Sequence, residues 1–137
     1  MMFLRDPSAY HGGKNKRPFF EGWYHKLVTG DGQSLAIIPG IYRSGFNNNQ
    51  TAFIMIFDGD KGNVFYEQFE VQQFSCSTSS YSLHIGSNYF SSEKIILDIE
   101  SETLTIKGQV TADNLKPWPV TLFEPGCMGW YAYVPTM

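Results

Sequence analysis

GWYHKLVTGDGQSLAIIPGIYR, residues 22–43, reads as a strand, a tight turn and a returning strand. Apolar residues recur at period two in both arms, and turn residues interrupt them after a few positions, which is the pattern of half-buried strands. TGDGQ, 29–33, supplies glycines where a hairpin turn needs positive φ. Pro39–Gly40 falls inside the returning arm. A proline cannot donate to a ladder, so a bulge or sharp bend is expected there.

The same reading extends along the rest of the chain. GFNNNQ, 45–50, is a loop, and TAFIMIF, 51–57, is apolar on both faces and therefore central. DGDKGN, 58–63, turns into VFYEQFEVQQF, followed by YSLHIG, NYFS, KIILDIE, TLTIKGQV, WPVTLF and GWYAYV as further short strands. Helix signals are nearly absent. The predicted class is all-β, with about nine to ten short strands. Their edges are best hidden by antiparallel closure into a barrel, the favoured form, or into a strongly curved sandwich. DNLKPWP, 113–119, carries two prolines around Trp118 and is expected to plug or cross one end of the sheet.

Composition limits the function classes. At 137 residues the chain is one domain, residues 1–137, and can remove roughly two-thirds of its unfolded surface from water. Lys plus Arg number 10 against Asp plus Glu 13, a formal charge of −3, so a grip on nucleic acid is not expected. The cluster Lys14, Lys16 and Arg17 reads as a solvated loop. Aromatic residues reach 16%, with 11 Phe and 8 Tyr, which fills a core and also suits a cavity for an apolar ligand. Cys76 and Cys127, far apart and outside any metal-ligand spacing, read as free thiols of a reducing compartment. The start MMFLRDPSAYHGGK has no apolar h-region, and no apolar run reaches the ~20 residues a bilayer requires, so the expectation is a cytoplasmic chain without a membrane span.

Candidate chemistry gathers in RPFFEGWYHKLV, 17–28, where Glu21 stands among Phe19, Phe20, Trp23 and Tyr24. Two readings stand. Desolvation among rings raises a carboxyl pKa and holds its proton, making Glu21 an acid. Alternatively, Glu21 pairs with Arg17, Lys26 or Arg43 and pins the first strand. His11, beside Tyr10 in a loop, is either a loop hydrogen-bonder or a site residue. His25 reads as a surface or satisfied histidine and His84 as exposed. The three histidines have no ligand spacing, so neither a metal nor another cofactor is expected. HGGKNK lacks the preceding strand and the Ser/Thr of a phosphate-binding loop.

EGWY at 21–24 is echoed by MGWY at 128–131. Together with YHG at 10–12, FFEGWYHKLV at 19–28, AIIPGIYR at 36–43, AFIMIF at 52–57 and LKPWPVTLFEPGCMGWYAYVP at 115–135, it resembles the tocopherol cyclase-like family, bacterial members above all. The resemblance implies a lipocalin-like, calycin-type barrel of two related lobes, whose named members close a prenylated hydroquinone into a chromanol. FEGWY also resembles the lipocalin Gly-x-Trp signature, one residue out of step. Two departures stand out. His25 occupies a position where the family commonly has an aromatic, and after VPTM the chain ends at Met137 where relatives continue into a second lobe.

The resemblance implies an apolar, prenylated or lipid-like small molecule in an aromatic-lined cavity. Glu21 and His11 are then the catalytic candidates, and Tyr10, Trp23, Tyr24, Tyr42, Trp118, Trp130 and Tyr131 the ligand-binding ones. The alternatives are a non-catalytic lipocalin-like carrier, or a half-protein that pairs with a second lobe or, through the GWYAYV strand, with its own copy.

Overall fold

The computed structural model describes residues 8–13, 17–119, 121, 123 and 124. Among the described residues, ten strands form two antiparallel sheets. The first holds β1 (Phe19–Gly22) and β2 (His25–Val28), both on β3 (Ser34–Arg43), then β4 (Gln50–Asp58) and β5 (Val64–Glu70). In the second, β6 (Phe74–Cys76), β7 (Ser82–Ile85), β8 (Asn88–Ser91), β9 (Lys94–Glu100) and β10 (Thr105–Thr111) follow one another in space as they do in sequence. Among the described residues no helix is long and apolar enough to cross a membrane.

The class is all-β as expected, in its sandwich form. Among the described residues no ladder joins the β1/β2 edge to β10, or β5 to β6, so they do not form the favoured closed barrel. A 3-10 turn, Val71–Gln73, breaks the run expected as one strand from Val64 to Phe74 and passes the chain between sheets. Glu70 and Gln73 hold that corner reciprocally, each side chain accepting the other's backbone N–H.

Inward residues of both sheets make one solid core. Ile37, Ala52, Ile54 and Ile56 of the first sheet meet Leu83, Ile85, Phe90, Ile95, Leu97 and Ile99 of the second, with Trp23 at one end. TAFIMIF is central, as its composition requires, lying between β3 and β5. DNLKPWP does not plug this core: its residues are exposed, Trp118 to 74%. The interior it would have covered is already filled by aliphatic side chains. Among the described residues of WPVTLF none is in a strand, and GWYAYV lies outside the described residues.

Pro39 behaves differently from expectation, for a clear reason. The β3–β4 ladder runs without a slip from Leu35↔Asp58 to Arg43↔Gln50, so there is no bulge. The interruption lies on the other side. Trp23 N–H donates to the Pro39 carbonyl at 3.0 Å, but Pro39 has no N–H to return, and regular pairing stops between Gly22 and His25. Register is the same before and after the gap, Gly22↔Gly40 and then His25↔Ile37. Parity is therefore kept along β1, β2 and β3, with Phe19, Glu21, Trp23 and His25 inward alongside Arg43, Ile41 and Ile37.

Gly40 is fixed by close approach. A Cβ there would stand 2.6 Å from the Glu21 carbonyl oxygen and collide with the Phe53 ring.

Candidate functional site

Strand parity delivers Glu21 to the inner face, and the lead-in loop 8–13 folds over it. His11 holds the carboxylate twice, through its backbone N–H to Oε2 at 3.0 Å and through ring Nδ1 to Oε1 at 2.7 Å. Neither Arg17, Lys26 nor Arg43 is its partner; the pairing is with the histidine of the loop. Where Nδ1 is the donor in this pair, Nε2 is the ring's second nitrogen, outside the bond to Glu21. The pair is neither sealed nor fully solvated, its side chains being 26% and 15% exposed for His11 and Glu21.

Rings frame this pair. Tyr10 packs edge-on against Phe19 at 5.9 Å and tilts against Trp23 at 6.4 Å and Phe74 at 5.5 Å. The Trp23 indole N–H donates to the Ser8 carbonyl at 2.9 Å, which ties the loop to the strand. Gly12 lets the loop pass, since a Cβ there would lie 2.6 Å from the Tyr10 hydroxyl and strike the Phe19 ring.

Arg43 is the residue that sequence reasoning placed only as a partner for Glu21. It is 7% exposed, donates from Nη2 to the Tyr10 hydroxyl at 2.8 Å and from Nη1 to the Gly13 carbonyl at 2.5 Å, and lies 5.8 Å over the Phe19 ring. Since the guanidinium bonds fill one lone pair of the Tyr10 oxygen, that hydroxyl keeps its proton to donate elsewhere. Burial raises the Tyr10 pKa, with Arg43 opposing and the Glu21 charge adding to it. The phenol stays neutral at ordinary pH. Cys76, a free thiol on β6, is pushed up to about 12 by burial and by Glu21, so it sits here as an apolar wall and not as a nucleophile.

Farther along the inner face, His25 bridges the sheets. Its Nε2 meets the Tyr81 hydroxyl at 2.5 Å, and its ring stacks on Tyr81 and Phe90. Burial lowers its pKa and holds the imidazole neutral. It is thus the satisfied histidine expected. His84 is exposed on the outward face of β7, against Tyr89.

Of the candidate residues, the structure brings together Glu21, His11, Tyr10 and Trp23. Tyr24 and Tyr42 lie on the opposite face of the same sheet, and Trp118 is exposed on the segment after β10. Trp130 and Tyr131 lie outside the described residues. Parity is what separates these tyrosines from the site. A bulge at Pro39 would have turned Tyr42 inward and Arg43 outward; the unbroken register does the reverse.

Among the described residues, two open clefts are lined away from the dyad. One of about 250 Å³ runs between β2 and the β8–β9 turn, lined by Tyr24, His25, Leu27, Ile95 and Val110 among others. The second, about 440 Å³, sits at the turn end of the first sheet beside Leu35, Asp58 and Lys61. Among the described residues, no group of three or more His, Cys, Asp or Glu side chains stands close enough to hold a metal ion. No protein-family model, curated protein or solved structure matches this chain.

Proposed function

We propose that this chain binds an apolar, ring-bearing small molecule at the Tyr10–His11–Glu21 end of the sandwich, and that His11 and Glu21 handle a proton of that ligand as in a tocopherol cyclase-like reaction. One observation carries the reading: a doubly hydrogen-bonded imidazole–carboxylate pair, partly open, framed by Tyr10, Phe19 and Trp23. The likeness of FFEGWYHKLV and AIIPGIYR to that family supports it as well.

Such a reaction needs no oxidant. With one proton held in excess on the His11–Glu21 pair, that proton passes to the less substituted alkene carbon, the phenol oxygen closes on the tertiary cation, and the phenolic proton returns to the pair. Ring faces stabilise the cation where water is excluded. The Tyr10 hydroxyl and the Arg43 it accepts from orient the oxygen-bearing end of the ligand. The free thiol of Cys76 supports a reducing, cytoplasmic setting.

A carrier is the second reading, favoured by the open clefts, which could hold a ligand without any chemistry at the pair. Pairing through the GWYAYV segment, with a copy or with a second lobe, is compatible with either.

The test uses a geranylated hydroquinone and a chain carrying Trp118→Phe and Trp130→Phe, so that Trp23 alone reports binding. Saturable quenching together with chromanol formation that Glu21→Gln abolishes supports the enzyme. Quenching without product leaves the carrier, and no fluorescence response removes both readings.

A further inference from the structure

The outward face of the first sheet is apolar where a solvated sheet face is ordinarily polar. Register sorts it into four rows: Phe20–Tyr42–Thr51–Glu70, Gly22–Gly40–Phe53–Gln68, Tyr24–Ile38–Met55–Tyr66 and Lys26–Ala36–Phe57–Val64. Phe53 lies across Gly40, stacked between Phe20 at 5.7 Å and Tyr66 at 5.7 Å, and is only 2% exposed. The rings that shelter it are themselves open, Phe20 to 67% and Tyr66 to 50%, with Tyr24 at 64% beside them. Among the described residues, a buried ring whose stacking partners are themselves exposed marks a face with a layer still to be added.

We propose that a second copy of this chain supplies that layer, in a face-to-face, two-fold dimer of the first sheet. Charge placement argues for a copy. Within these rows the charged side chains are Lys26 and Glu70, and they occupy diagonally opposite corners, on β2 and β5. A two-fold axis perpendicular to that diagonal sets each Lys26 over the other copy's Glu70, while the rings between them meet rings. The surface is thus complementary to itself, as an isologous interface requires. Area agrees. Four strands about 4.8 Å apart and some seven to nine residues long, at ~3.4 Å per residue, give roughly 400 to 600 Å² in flat projection, and more with side chains in relief. That approaches the roughly 800 Å² per partner of a standard interface. Tyr and Phe at its centre, with charges at its rim, are the usual anatomy of such a contact.

Sedimentation velocity of the full chain, from about 1 to about 100 μM, tests this by mass action. A dimer that grows with concentration is expected. Tyr66→Lys, at the centre, weakens it tenfold or more. Lys26→Glu and Glu70→Lys each weaken it roughly threefold to tenfold by placing like charges together, and the double reversal restores it. Lys26 is exposed, so Lys26→Glu remains decisive if Tyr66→Lys compromises folding; Glu70→Lys also removes the cap of the 71–73 turn, and recovery of the dimer in the double reversal separates the charge effect from that loss. A chain that stays monomeric throughout overturns the proposal. So does a dimer indifferent to all these changes, which would be held through another surface. Tyr66-dependent binding to phosphatidylcholine vesicles without self-association likewise overturns it, since the face would then meet lipid.

Discussion

On the outward face of the second sheet, Lys107 stands 3.3 Å from Asp98 and 3.1 Å from Glu100, and His84 lies against Tyr89 among serines and threonines. On the outward face of the first sheet the equivalent positions carry Phe20, Tyr24, Phe53, Met55 and Tyr66. Both sheets give their inner faces to the same core, so the core cannot explain the contrast. What differs is the environment for which each outer face is written. KIILDIE and TLTIKGQV alternate cleanly and end in water, whereas TAFIMIF is apolar on both sides because both of its sides are covered or meant to be.

Substitutions on the two outer faces can break or sharpen that contrast. Phe53→Ala is expected to cost the most, about 3 kcal/mol in chemical denaturation, since the ring is enclosed although it faces outward. A loss below ~1 kcal/mol would mean the first sheet's outer face is ordinary surface. Gly40→Ala follows at roughly 1–3 kcal/mol, because the added methyl meets Phe53 and the Glu21 carbonyl. The same assay reads it, and an unchanged midpoint would show that Phe53 does not rest on that glycine.

His25 probes the layer between the faces. Its folded pKa is depressed by burial, so the unfolded chain takes up a proton near 6.5 before the folded chain does. Stability from this residue is complete above about pH 6.5 and falls as pH drops through the folded pKa, by at most ~1.4 kcal/mol per pH unit. Replacing it, His25→Phe keeps the stacking and flattens that acid slope; a slope unchanged between pH 6.5 and 5 would place its origin elsewhere. Smallest is Ile96→Ala on the second sheet's outer face, expected at less than ~1 kcal/mol in the same denaturation assay. A cost equal to that of Phe53→Ala would erase the distinction between the faces.

Much of this was legible in the sequence because period-two alternation reports directly on which side chains share a face. KIILDIE, YSLHIG and the strand, turn and strand of 22–43 are read correctly for that reason, the bulge expected at Pro39 excepted. The site was legible in part. Glu21 and His11 stood out by residue type, but their pairing spans a loop that no periodicity describes. Arg43 was hidden by Pro39: sequence shows that a hydrogen bond must be lost there, and not on which side of the strand. Sheet closure was beyond reach as well. Whether β2 meets β10 depends on twist and curvature accumulated over many residues, which no single segment encodes.

The carbonyl-only contact at Pro39 also divides the edge of the first sheet into two separately hinged leaves. The leaf of residues 19–22, which carries Glu21, is tied to β3 by its own short ladder and to the loop through His11, while 25–28 is held by another. Fraying of one need not propagate to the other. Amide exchange should therefore show two independent openings along what looks like one continuous ribbon, the 19–22 leaf separating while the 25–28 hairpin stays shut.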